Sequence, residues 1–176
     1  MLPLLGQSLA AQGYDPSAYT SATIIVAQLT MIPMALAAAW LAARRGYWLV
    51  FVLALVALPL RGAIAALITG PIGLAPVQIL DGVGAGLLGV AVPGLVARVM
   101  AGTGRVNFAI GAVMTVQGIG AALSPSVGGA VAARFGYAAS FMTLGAIAIA
   151  ALALWMCATP LVAEACGVKG KRLRAA

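Results

Sequence analysis

The chain has 176 residues, of which 64% are hydrophobic and 7% are charged, with ten Lys and Arg, three Asp and Glu and no His. A soluble domain carries about 25% charged residues, so this chain lacks the polar surface that a globule in water needs. Its mean hydropathy of +1.12 indicates a membrane protein. The net charge of +7 does not indicate nucleic-acid binding, because the basic residues form short clusters between apolar runs rather than one basic face.

Five apolar runs are each long enough to cross a bilayer, which takes about 20 helical residues. Asp15 and Pro16 precede the first run as an N-cap residue and a proline at the first helical position. An initial apolar piece, 1–12, is only about half a span, so we expect it to be the end of a helix whose beginning is missing. The predicted spans are 19–43, 47–68, 76–100, 106–133 and 137–159, with a polar tail at 160–176.

The basic residues predict the orientation, because Lys and Arg concentrate in cytoplasmic loops. With alternating spans, eight of the ten fall on the same side as the C-terminal tail. The tail is therefore predicted to be cytoplasmic and the loop with Asp15 to lie outside. We expect the membrane to be the inner membrane of a bacterial cell. The eight residues are Arg44, Arg45, Arg98, Arg105, Lys169, Lys171, Arg172 and Arg174.

One charge of each sign is predicted inside the spans. Arg61 lies in VALPLRGAIAAL and Asp81 lies in QILDGVGAG. At 1.5 Å per residue, they lie about 12 Å and about 8 Å below the outer ends of their helices. Because either charge alone costs roughly 3 kcal/mol or more in the membrane, we expect an ion pair between consecutive antiparallel helices. The pair is either a static structural contact or a gate or coupling element beside a water-filled pathway.

Glycine is concentrated in the third and fourth spans. Small residues let helix backbones approach closely, and a proline permits a kink. The pattern indicates either tight packing alone or two helices that bend as a cavity opens. It is not a dinucleotide-binding fingerprint, because no strand precedes it. The residues predicted to act in packing and kinking are Gly82, Gly86, Gly89, Gly118, Gly120 and Pro125.

Few polar side chains are placed to face a cavity within the spans. The candidates for its lining are Gln28, Gln78 and Gln117, with Met114 nearby in sequence. Catalysis has little support, because a chain without His has no Ser-His-Asp set and no two acids lie at one depth. Cys157 and Cys166 have no metal-ligand spacing, so neither a metal nor another cofactor is predicted.

The order of these segments resembles the C-terminal half of a major facilitator superfamily (MFS) transporter, over nearly the whole chain. MLPLLGQ is similar to the outer end of the seventh helix of that family. WLAARRGYW, with Arg44 and Arg45, is similar to the basic cytoplasmic loop between its eighth and ninth helices, although the aspartate of that loop is absent. LPLRGAIAAL and QILDGVGAGLLGV resemble the ninth and tenth helices, and AVMTVQGIGAALSPSVGGAVAARFGYAASF resembles the eleventh running into the twelfth.

The resemblance implies an all-α polytopic membrane bundle of five full transmembrane helices plus the partial first one. It also implies secondary-active transport of a small organic solute, with efflux as one direction, and membrane lipid as the surroundings. That family binds substrate between two six-helix halves, and one half is absent here. The chain is then an inactive truncated product or scaffold, the partner of a separate N-terminal half, or one protomer of a homodimer.

Overall fold

The computed structural model describes residues 16–67 and 71–167, and over these residues the chain is helical without a β-strand. The predicted piece 1–12, Asp15 and the four tail bases from Lys169 to Arg174 lie outside the described residues. The helices are α1 (Pro16–Arg45), α2 (Tyr47–Leu67), α3 (Pro71–Val99), α4 (Val106–Cys157) and the short α5 (Thr159–Val162). The all-α expectation is confirmed.

Four of these helices are long and apolar enough to cross a membrane, and α4 is long enough to cross twice. Gly136 breaks α4 with φ 84° and ψ 167°, a conformation that glycine adopts without steric cost. The Ser140 hydroxyl donates a 2.8 Å hydrogen bond to the carbonyl of Gly128. Twelve residues of straight helix would separate these groups by about 18 Å, so the chain folds back at Gly136. We call the two arms α4a (106–135) and α4b (137–157).

The helix ends differ by a few residues from the predicted spans. α1 continues to Arg45, and Gly46 then ends it at φ 80°, with its N–H donating to the Ala42 carbonyl at 3.0 Å. The two arginines of the last turn favour this end, because cations stabilise the negative end of the helix dipole. α3 begins at Pro71, five residues before the predicted start, because proline suits the first helical turn.

The packing gives the bundle two cores of small residues. α3 packs against both α1 and α2, and α4b packs on α2. The larger core joins α1, α2 and α3 through Ala38, Val50, Ala54, Leu87 and Ala91. The smaller core joins Ala65, Val77 and Phe141. Long apolar side chains such as those of Leu29 and Leu36 point outward instead, as expected where the surrounding solvent is lipid.

The two arms of α4 differ in how much of each is covered. α4b contributes Phe141, Gly145 and Ala148 to buried positions. Residues 111–123 of α4a are exposed at every position. Thus much of α4a lies at the edge of the bundle, and the hairpin at Gly136 joins it to the better covered arm α4b.

Candidate functional site

The two charges predicted inside the spans meet between α2 and α3. Nη1 of Arg61 contacts Oδ1 of Asp81, and the two side chains are 14% and 32% exposed. The Nε atom of Arg61 is buried without a hydrogen-bond partner. The guanidinium therefore has donor capacity left after the ion pair, because it carries five N–H groups.

Gly82 and Gly86 bring the backbones of α3 and α1 into contact beside this pair. A Cβ on Gly82 would lie 2.5 Å from the carbonyl oxygen of Ala27, and a Cβ on Gly86 would lie 2.7 Å from that of Met31. Only glycine permits so close an approach of two helices. Gly89, predicted to extend the same face, has nothing within 4 Å of its Cβ position.

A small cavity of about 190 Å³ opens beside Asp81, between α3 and α1. Gln28 reaches this cavity from α1, so the structure brings one predicted lining residue to the carboxylate. Gln28 is exposed, whereas Asp81 is partly buried. The other residues that line the cavity are Ile24, Ala27, Met31, Gly82 and Ala85.

A second cavity of about 430 Å³ lies between α3 and α4a. Gln117 is the polar residue of its lining, and Val92 is the residue that α3 contributes. The remaining lining residues are Ala112, Val113 and Val116, all from α4a. The structure therefore places Gln28 and Gln117 in two different cavities, one between α3 and α1 and the other between α3 and α4a.

The α3 residues that line the two cavities lie on one face of this helix. At 100° per residue, Ala85 lies about 40° and Val92 about 20° around the helix from Asp81, so the three residues share one face. Asp81 and Val92 are separated by about 16 Å along the helix axis. The cavity with Gln28 and the cavity with Gln117 therefore open along the same stripe of α3, at two depths.

Arg61 also lines a third cavity, of about 380 Å³, bounded by α2, α4a and α4b. Asp81 is not among the residues that line it. The ion pair thus separates two spaces: the Asp81 side chain borders the cavity next to α1, and the Arg61 side chain borders the cavity under α4a.

The other predicted residues lie at scattered positions. Gln78, one turn before Asp81, is 1% exposed, and its Nε2 atom has no hydrogen-bond partner. Met114 is 41% exposed on α4a. Gly118 and Gly120 have nothing within 4 Å of their Cβ positions, and the backbone of α4 departs from helical geometry at Gly136 rather than at Pro125.

The cytoplasmic arginines lie at the end of α1. The Arg44 guanidinium stacks over the Trp40 ring at 4.4 Å from its centroid, and Arg45 is exposed. Among the described residues, no three His, Cys, Asp or Glu side chains form a cluster that could hold a metal.

Several contacts in the bundle were not predicted from the sequence. Ser124 and Leu58 line the third cavity, and Phe51 stacks on Trp155 with ring centroids 4.4 Å apart. Trp48 donates a 3.0 Å hydrogen bond to the Thr159 hydroxyl. These contacts join residues far apart in the chain, so helical periodicity gives no signal for them.

Comparison with known proteins identifies relatives for most of the chain. The chain is 41% identical over 161 residues to uncharacterized MFS-type transporters from two strains of Mycobacterium tuberculosis, CDC 1551 and H37Rv. The match covers 91% of this chain and 38% of each relative. No protein-family profile and no solved structure matches the chain. The resemblance inferred from the segment order is confirmed, and the coverage is consistent with the C-terminal half of such a transporter.

Proposed function

From its homology to MFS-type transporters over 91% of its length, we propose that the chain takes part in secondary transport of a small organic solute across a bacterial inner membrane. The chain spans 38% of the length of these relatives, so in this proposal it supplies one side of the pathway. The other side comes from a complementary N-terminal half or from a second copy of the chain. The proposal includes efflux as one direction of transport, with the C-terminus in the cytoplasm.

The observation that carries this proposal is the stripe on α3, namely the one face of that helix that borders both cavities. Asp81, Ala85 and Val92 lie on one face of that helix, flanked by Gln28 on one side and Gln117 on the other. A solute that moved along this face would pass one carboxylate and two amides within otherwise apolar walls. Such sparse polar groups in an apolar cleft are typical of sites that orient small molecules.

The ion pair fits a positioning role in this pathway. Asp81 borders the cavity next to α1, and its carboxylate forms an ion pair with Arg61 of α2. Intramembrane charges are costly and commonly mark solute or ion pathways. In the proposal the pair fixes the carboxylate at the wall of the path, and Gly82 and Gly86 keep α1 close enough to form the opposite wall.

The second candidate function is a membrane scaffold or partner subunit that does not transport. The partial coverage of the relatives favours this candidate, because the chain matches only 38% of their length and the resemblance implies that substrate binds between two halves. The two functions differ in one property of this chain alone. Only the transporter requires water to reach the stripe on α3.

The test is the accessibility of single cysteines to a charged, membrane-impermeant methanethiosulfonate reagent, in a background with Cys157→Ser and Cys166→Ser. Ala85→Cys and Gln117→Cys probe the two cavities, and Leu36→Cys is the control, because Leu36 is 70% exposed on α1 outside both. We expect the reagent to modify both cavity cysteines at least tenfold faster than Leu36→Cys. Equal, slow modification at all three positions would support the scaffold instead.

A further inference from the structure

The cavity of about 380 Å³ between α2, α4a and α4b has no role in the proposed pathway along α3. Its volume is within the range of about 300–1,000 Å³ that is typical of small-molecule sites. Among the residues that line it, Arg61 brings the only charge and Ser124 the only hydroxyl. The rest of the wall is apolar and includes Leu58, Leu123, Val127 and Ile147.

Three apolar residues of the cavity wall are also exposed on the surface of the bundle. Leu123, Val127 and Ile147 line the cavity and are 57%, 44% and 54% exposed. In a membrane, these side chains face acyl chains rather than water. A ligand that reaches the cavity past these side chains therefore comes from the bilayer, and most of its surface must be apolar.

Arg61 determines the polar group that the ligand needs. Its charge is neutralised by Asp81, so a second anion would gain no net attraction and would be repelled by that carboxylate. Its hydrogen-bonding capacity is not exhausted, because one contact to Asp81 leaves most of its five N–H donors. The matching group is an uncharged acceptor, which the Ser124 hydroxyl is also placed to contact.

The geometry points to a binding site in this cavity for an apolar molecule that carries an uncharged carbonyl, such as an ester. The carbonyl oxygen accepts from Arg61, and the hydrocarbon part packs on Leu123, Val127 and Ile147. Two sources offer this chemistry: the acyl ester of a membrane phospholipid, and a free hydrophobic ester dissolved in the bilayer. The site is independent of the transport proposal, because a bound ester is expected whether or not solute moves along α3.

Photo-cross-linking of the full chain in lipid nanodiscs tests this site. The probes are methyl palmitate with a diazirine in its chain, the same acid in its ionised form at pH 9, and the corresponding hydrocarbon. Peptide mass spectrometry measures adducts on the segments 119–127 and 144–151. We expect the ester to label these segments about tenfold more than the acid or the hydrocarbon, since only the ester offers an uncharged acceptor to the guanidinium.

Two matched glycines provide the control variants. Gly120 lines the cavity and Gly118 does not, yet both are exposed on α4a with nothing within 4 Å of the Cβ position. Gly120→Leu fills the cavity and should lower ester labelling about tenfold, whereas Gly118→Leu should leave it within about twofold. Ala151→Phe blocks the same cavity from α4b, and serves if Gly120→Leu fails to fold.

A fourth probe, phosphatidylcholine with a diazirine in one acyl chain, separates the two sources. Equal labelling by this lipid and competition with methyl palmitate would assign the site to a phospholipid. Labelling by methyl palmitate alone would assign it to a free hydrophobic ester. The proposal is overturned if ester, acid and hydrocarbon label the two segments equally, or if the cavity-filling variants label like the unaltered chain.

Discussion

The glycine-rich faces of α3 and α4a have similar sequence patterns, but their surroundings in the structure differ. On α3, a Cβ at Gly82 or Gly86 would lie within 2.7 Å of a carbonyl oxygen of α1. On α4a, Gly118 and Gly120 have nothing within 4 Å of the same position. A glycine face therefore shows that close approach is permitted, and it does not show that the partner lies in the same chain.

The contrast has a physical basis in what each helix covers. α3 packs between α1 and α2. Its glycines Gly82 and Gly86 lie against the backbone carbonyls of Ala27 and Met31 on α1. α4a lies next to α4b across the Gly136 turn, and its residues 111–123 are all exposed. We expect the α1–α3 contact to carry stability and the open face of α4a to carry little.

Bulk added to the closed glycine face should have the largest effect. Gly82→Leu with Gly86→Leu forces α1 and α3 apart, and overpacking of about 1–3 kcal/mol at each site predicts a loss of about 2–6 kcal/mol. Thermal unfolding in detergent measures the loss. The matched pair Gly111→Leu with Gly118→Leu adds the same bulk to α4a and should leave the melting temperature unchanged. Equal destabilisation by the two pairs would remove the distinction.

Loss of the ion pair should give the next largest loss of stability, because the pair lies between the packed helices α2 and α3. Arg61→Gln and Asp81→Asn each strand a charge, at a cost of about 3 kcal/mol. Asp81→Asn should cost more, since it leaves the 14% exposed guanidinium alone, whereas Arg61→Gln leaves the 32% exposed carboxylate. The double variant should cost less than the sum of the two, as measured by a double-mutant cycle. Additive losses would argue against direct coupling of the two charges.

A smaller effect is expected from two hydroxyl hydrogen bonds on the arms of α4. The Ser140 hydroxyl connects α4b to the Gly128 carbonyl of α4a, whereas the Thr115 hydroxyl donates to the Gly111 carbonyl of its own helix at 2.9 Å. Ser140→Ala leaves a buried contact between the arms unmade and should cost about 1–2 kcal/mol. Thr115→Ala should cost less than about 0.5 kcal/mol, because the Thr115 hydroxyl is exposed and bonds only to its own helix. Comparable melting temperatures for the two variants would contradict a special role for the hairpin contact.

Much of the fold could be predicted from the sequence because the bilayer restricts the options. Apolar run length locates the helices, and the glycine in RFGY lies at the turn where α4 folds back. Counting residues from the helix ends predicts that Arg61 and Asp81 lie within about 4 Å in depth, and in the structure they form an ion pair. With so few charges within the spans, depth alone left little choice of partner.

The candidate site could be predicted only in part. Helical periodicity predicts on which face of its helix a residue lies, but it does not predict which residues of other helices that residue contacts. Gln28 and Gln117 were expected to line one cavity and lie in two. Gln78, a third residue predicted to line a cavity, is buried one turn before Asp81. The cavity under α4a depends on Leu58, Ser124 and Ile147, which three helices bring together, so no local pattern indicates it.

The two cysteines near the C-terminal end also differ in exposure. Cys157 is exposed at the end of α4b, whereas Cys166 is fully buried against the start of α2, where its carbonyl accepts a 2.9 Å hydrogen bond from the Tyr47 N–H. Burial raises the pKa of the Cys166 thiol, and the nearby Arg98 guanidinium offsets only part of that rise. We therefore expect N-ethylmaleimide to alkylate Cys166 more slowly than Cys157 at pH 7.5, as measured on the two single Cys→Ser variants in detergent.

The raised pKa of the Cys166 thiol predicts the smallest effect on stability, a decrease as the pH rises. In the folded chain Cys166 keeps its proton above the pKa of about 8.5 at which an unfolded cysteine loses it. The stabilisation is therefore complete below that pH and is lost as the pH rises toward the folded-state pKa, by at most about 1.4 kcal/mol per unit of pKa difference. The difference in melting temperature between the unaltered chain and Cys166→Ala isolates this contribution, because the other titrating groups are common to both. It should shrink between pH 7.5 and pH 10, and a difference that grew with pH would mean that the thiolate, not the thiol, is the form that the fold stabilises.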